Sequence, residues 1–141
     1  MAFDASSVKT DGTTGSVSLT ASDYTTITYF SLNYDTGNNF TLSTGKFTAP
    51  AAGIWNFSAS AEIAALAATT EAFCLLVKNG TRDTTKKQGS ATWTSGASQA
   101  LNPVIAGDFL LAAGDTIEFQ VWISVAGASV TQGHFCGHQV T

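Results

Sequence analysis

Apolar side chains recur at every second position through much of this sequence, and turn-forming residues interrupt the pattern before any run outgrows a strand. The clearest case is residues 55–61, where Trp55, Phe57, Ala59 and Ala61 alternate with Asn56, Ser58 and Ser60, placing two large aromatics on one face. Ile117, Phe119 and Val121 alternate in the same way with Glu118, Gln120 and Trp122. A chain patterned like this hides its apolar faces by laying one sheet on another, so the expected class is all-β.

The rest of the chain extends that reading. Residues 16–34, rich in Thr, Val, Ile and Tyr, read as strand, and Asp35-Thr36-Gly37-Asn38-Asn39 as a turn. Residues 40–42 and 46–50 are short runs, the second ending at Pro50, which suits a strand edge, and Gly53 supplies the next bend. Residues 62–73 are Ala- and Leu-rich, the one place where a short helix or irregular crossover can be argued. Residues 71–78 read as a buried strand closed by Lys78-Asn79-Gly80, because Asn-Gly is a strong hairpin signal. Residues 81–98 are polar and read as surface loop with at most a short strand. Residues 99–105 and 109–112 resume the apolar pattern, Ala113-Gly114-Asp115 turns, and the last two runs, 125–130 and 135–140, are separated by Thr131-Gln132-Gly133. Eight to ten strands spaced this way in 141 residues give one domain, a β-sandwich or jelly roll spanning residues 1–141.

Composition narrows the function. Hydrophobic residues are 44% and charged residues only 11%, enough core material to exclude charge-driven disorder. A net charge of −4 argues against nucleic acid or an anionic membrane as partner. No apolar stretch approaches the roughly 18 to 20 residues that span a bilayer, and the opening residues carry neither the basic lead nor the apolar run of a secretion signal. Cys74 and Cys136 are too few for a disulfide framework and are expected to be free thiols.

Several ordered segments resemble the globular C1q/TNF-like head domain. TGKFTAPAAGIWNF at 44–57 is similar to that family's TGxFxxPxxGxYxF signature, with Trp55 in place of the usual Tyr. LVKNG at 76–80 is similar to its LxKNG hairpin, LLAAGDTI at 110–117 to its LxxGDxV turn and strand, and Phe135-Cys136-Gly137 to its terminal FSG, with Cys136 in place of Ser. Ala2-Phe3-Asp4-Ala5 resembles its opening AFSA, so a stand-alone head without the collagen-like stalk of many animal members is the expectation. The resemblance implies a ten-stranded jelly-roll sandwich with neighbouring first and last strands, assembled as a homotrimer that binds rather than catalyses.

Few residues suggest chemistry. His134, Cys136 and His138 share one strand face and offer nitrogen and sulfur donors to zinc, but strand neighbours two apart are about 6.5 Å apart along the chain, so packing or interface histidines are the expectation. Asp108, Asp115 and Glu118 form no dense acidic calcium loop, and Asp115 is read as a turn residue. No GxSxG, HExxH or P-loop is present, so neither an enzyme nor a cofactor is expected. Lys78, Arg82, Lys86 and Lys87, with Trp93 close behind, are the candidate contact surface for an acidic protein patch or a sugar ring. Trp55, Phe57, Phe119 and Phe135 are candidates for core or trimer interface. Three formal glycosylation sequons begin at Asn39, Asn56 and Asn79. The functional expectation is a virion surface protein of a bacteriophage, either a capsid decoration or cement trimer or a fibre knob, touching capsid or tail proteins or a host-surface glycan or protein. The alternative is a secreted or cell-surface module binding carbohydrate or protein.

Overall fold

The computed structural model describes residues 1–9, 11–66, 70–86, 88–92 and 99–141. The strands are β1 Ala2–Ser6, β2 Val17–Ser18, β3 Asp23–Thr26, β4 Ser31–Asp35, β5 Phe40–Thr41, β6 Lys46–Thr48, β7 Gly53–Leu66, β8 Thr70–Lys78, β9 Gln88–Thr92, β10 Gln99–Leu101, β11 Val104–Leu111, β12 Thr116–Ile123 and β13 Ser129–Gln139. One 3-10 turn, Thr84–Lys86, is the only helical element among the described residues.

The strands form two antiparallel sheets. A seven-stranded sheet runs β10-β7-β13-β1-β4, with β11 also on β7 and β2 on β13; a five-stranded sheet runs β5-β6-β12-β8-β9. The first and last strands are neighbours, in register from Ala2 opposite His138 to Ser6 opposite His134. β3 follows the edge of β12 beyond β6: Ser22 donates its amide to Ile123 O at 2.7 Å and Ile27 to Phe119 O at 3.0 Å.

Between the sheets the alternation read from the sequence becomes a core. Trp55, Phe57, Phe119 and Phe135 are completely buried, which leaves them no surface for a neighbouring molecule. Phe3 on β1 stacks against Phe40 and Phe47, centroids 4.7 and 5.1 Å away, and meets the edge of Phe135 at 5.1 Å. Gly137 makes this crowding possible, because a Cβ there would lie 2.5 Å from Phe57 and 2.7 Å from Phe3.

Several local expectations change. The segment at 62–73 is strand on both sides of the undescribed residues 67–69: Ala61 and Ile63 face the core while β7 pairs with β13, so tertiary pairing overrides the helix propensity of Ala and Leu. Residues 16–34 are three short strands rather than one, because Ser22 turns the backbone to φ 55° and Leu19, Ile27 and Tyr29 drop into the core from the connections. Thr131-Gln132-Gly133 is no turn; β13 continues through it with a register shift between Val130 and Gln132, and Gly133 is small because a Cβ would reach Ser7 Oγ at 3.0 Å. The ten strands expected become thirteen segments among the described residues because edge strands are broken into pieces of two to five residues.

Phe135→Ala removes the ring that Phe3, Phe40, Phe57 and Tyr29 all touch. It is expected to lower the unfolding free energy by about 3 to 5 kcal/mol in urea titration.

Candidate functional site

The outward side chains of the seven-stranded sheet form ordered rows. One row is Ala2, His138, Asn56, Asp108; the next is Tyr34, Asp4, Cys136, Ser58, Ala106; the third is Ser31, Ser6, His134, Ser60, Val104. His134, Cys136 and His138 thus share the outer face because they alternate with core-facing Phe135 and Gly137. His134 Nε2 lies 2.5 Å from Asp4 Oδ1, and Asn33 donates to Asp4 Oδ2 at 3.1 Å. Among the described residues no group of three or more His, Cys, Asp and Glu side chains is placed to hold a metal ion.

At one end of this face the rows turn apolar. Ile54 pairs with Leu110, and Val140 follows Gln139 beside Ile54, its amide donating to Ile54 O at 2.8 Å. These three are 39%, 75% and 52% exposed. Leu110 lies on β11, whose only strand partner among the described residues is β7. Beside that edge is a groove of about 850 Å³ floored by Leu76, Ile105 and Phe109. Towards the other end of the sheet a polar depression of about 430 Å³ is lined by Ser6, Ser60, Glu62, Asn102, Gln132 and His134.

The basic cluster is placed differently from a free contact loop. Lys78 donates to Leu110 O at 2.9 Å and pairs with Asp115 Oδ2 at 2.9 Å. Arg82 folds back over the five-stranded sheet, donating to Gln120 Oε1 at 2.6 Å with its guanidinium 5.0 Å from the Tyr24 ring centre. Lys86 ends the 3-10 turn, and the candidate contacts Lys87 and Trp93 lie outside the described residues.

Arg82 reaches a network that alternation alone does not reveal. Glu118 and Gln120 point away from the core, yet both are 4% exposed. Thr26 Oγ1 donates to Glu118 Oε1 at 2.9 Å, Gln120 Nε2 bonds both of them, and Lys46 Nζ lies 3.3 Å from Glu118 Oε2. Asp108, Asp115 and Glu118, which form no calcium loop in the sequence, also stand apart in the fold. Asp108 accepts from Asn56 at 2.7 Å on the opposite sheet, and Asp115 anchors the turn before β12.

Asp115 accepts from Asn79 Nδ2, Lys78 Nζ and the Ala112 amide, and these donors hold its carboxyl at about 2, below the ordinary 3.8. Burial pushes the Cys74 thiol up to about 12, and burial with the nearby Asp4 carboxylate raises Cys136. Both cysteines are free.

The family model described as C1q domain matches residues 12–140. The opening resemblance at residues 2–5 lies outside that match, although β1 is paired along its whole length with β13. Among solved structures the chain is similar to the globular domain of zebrafish complement 1qA protein, at 14% identity with a TM-score of 0.70, covering 99% of this chain and 97% of that one. It is also similar to murine APRIL, at 17% identity with a TM-score of 0.56, covering 96% and 98%. No curated protein matches the sequence.

Asp115 has a depressed folded-state value, so its contribution to stability is present above pH 3.8 and lost as pH falls towards about 2. The gap in thermal midpoint between the wild type and Asp115→Asn should accordingly close over that interval in a pH series of melts. Cys74, buried and held as a thiol, is expected to resist maleimide in the native protein and to react once the chain is unfolded, as read by intact mass.

Proposed function

The chain belongs to the C1q domain family, and from that premise we propose that it works as a homotrimeric binding module, without catalysis. The observation that carries this reading is the apolar row Val140, Ile54, Leu110 at the end of the seven-stranded sheet. Three large apolar side chains side by side on an exposed sheet face favour cover by another surface. In the proposed trimer the β11 edge of each protomer meets the sheet face of the next, a heterologous contact that closes into a ring about a threefold axis.

The binding role sits on what the trimer leaves open. The polar depression around Ser60, Asn102, Gln132 and His134 offers hydroxyl and carboxamide groups that both donate and accept, which suits a neutral hydroxylated partner such as a glycan. The finer placement is on a virion surface, as a capsid decoration or cement trimer or a fibre knob, because a threefold protein matches the local threefold positions of an icosahedral shell. The family and fold are compatible with the alternative, a secreted or cell-surface module, and recovery of the protein from purified particles separates the two.

Ile54→Lys with Leu110→Lys is expected to convert a trimer mass into a monomer mass in light scattering at equal concentration, with the β-sheet circular dichroism retained. A wild-type protein that is itself monomeric at micromolar concentration overturns the reading.

A further inference from the structure

The sequence contains one Asn-Gly dipeptide, Asn79-Gly80, at the tip of the hairpin that closes β8. Both residues have positive φ, 51° and 72°, and Thr81 donates to Lys78 O at 2.9 Å, the geometry of a two-residue primed turn. Glycine at the second position has no Cβ to shield its own nitrogen, so Asn-Gly is a labile site in an unstructured chain. The Gly80 nitrogen loses its proton and attacks Asn79 Cγ, the new N–Cγ bond forms, the Cγ–Nδ2 bond breaks, and Nδ2 takes up a proton in exchange and leaves as ammonia. Water then opens the succinimide to Asp or isoAsp.

The fold holds that amide at both ends. Asn79 Nδ2 donates to Asp115 Oδ1 at 2.8 Å, and Asn79 Oδ1 accepts from the Thr116 amide at 2.8 Å. The Asn79 backbone amide in turn donates to Thr116 O at 2.9 Å, so the side-chain oxygen completes a pair of ladder-like bonds one step beyond the last β8–β12 pair, Lys78 opposite Ile117. Turning Cγ onto the Gly80 nitrogen breaks both side-chain bonds and leaves the hairpin tied to Asp115 and Thr116 only by the Asn79 backbone amide and the Lys78 ion pair.

We propose that Asn79 is a gated deamidation site: clamped and inert while the Asp115-Thr116 turn is docked, reactive once it opens, and unable to redock afterwards. The last part follows from charge. A carboxylate at residue 79 loses the Nδ2 donor and faces Asp115, which its other donors keep ionised at ordinary pH. Deamidation is thereby one-way at the level of structure as well as chemistry. The change reaches the β11 edge, because Lys78 Nζ bonds both Asp115 Oδ2 and Leu110 O. The clamp lies within one chain and does not depend on the proposed trimer.

The test is incubation of the full chain at one pH and temperature, native and in urea, followed by peptide mass spectrometry of the 79–80 bond. Asn79 is expected to deamidate at least roughly tenfold more slowly in the native protein, the protection that a modest local opening free energy gives. Asp115→Ala, folded by circular dichroism, is expected to lose most of that protection, while Asn79→Asp is expected to melt below the wild type. Equal rates in native and denatured wild type overturn the proposal, and this comparison needs no variant to fold. Undiminished protection in folded Asp115→Ala, or an Asn79→Asp melt unchanged from wild type, overturns the assignment of the clamp.

Discussion

The structure depends on the contact between two apolar sheet faces, and that contact is concentrated in a group of rings. Phe3, Phe40, Phe47, Phe57 and Phe135 come from five strands in both sheets and touch one another directly. Rings pack without rotamer-rich tails, so a few of them fill the space between sheets about 10 Å apart at modest entropic cost. The first and last strands are drawn together by the same group, since Phe3 on β1 and Phe135 on β13 meet edge to face. Gly137 is fixed by that crowding, not by any turn.

The two outer faces are treated differently. On the five-stranded sheet, Glu118 and Gln120 are covered by Thr26, Lys46 and Arg82, so polar residues there are spent on one another. On the seven-stranded sheet most outward residues are small or polar and remain at the surface, Val104 and Tyr34 apart, with apolar Ile54, Leu110 and Val140 side by side at one end. A buried polar network fixes its neighbours in place because each missing partner is costly. An open face of small residues instead leaves room for a second backbone to approach. The asymmetry is why the assembly reading settles on one sheet.

Much of the fold was legible before any coordinates. Alternation at Trp55-Phe57 and Ile117-Phe119-Val121 located the core strands, and Asn79-Gly80 located its hairpin, because both signals are local consequences of side-chain period and backbone φ. The family resemblance rested on the same segments, and the family match covers most of them. The candidate site was less legible. Lys78 and Arg82 stood out in the sequence as a candidate contact surface, and the fold ties each to a residue more than thirty positions away, which the sequence does not disclose. Charge alone does not say whether a cation meets solvent or a distant carbonyl.

Sequence by itself determined the β class, the inward positions and the turn chemistry, since each is set by neighbours within a few residues. Tertiary structure decided that residues 62–66 are strand rather than helix, that Gly133 continues β13 through a register shift, and that Ile54, Leu110 and Val140 lie side by side on one face. These features depend on which strand lies next to which. Strand pairing is fixed by the summed burial of the two sheets against each other, a quantity that no single stretch of sequence contains.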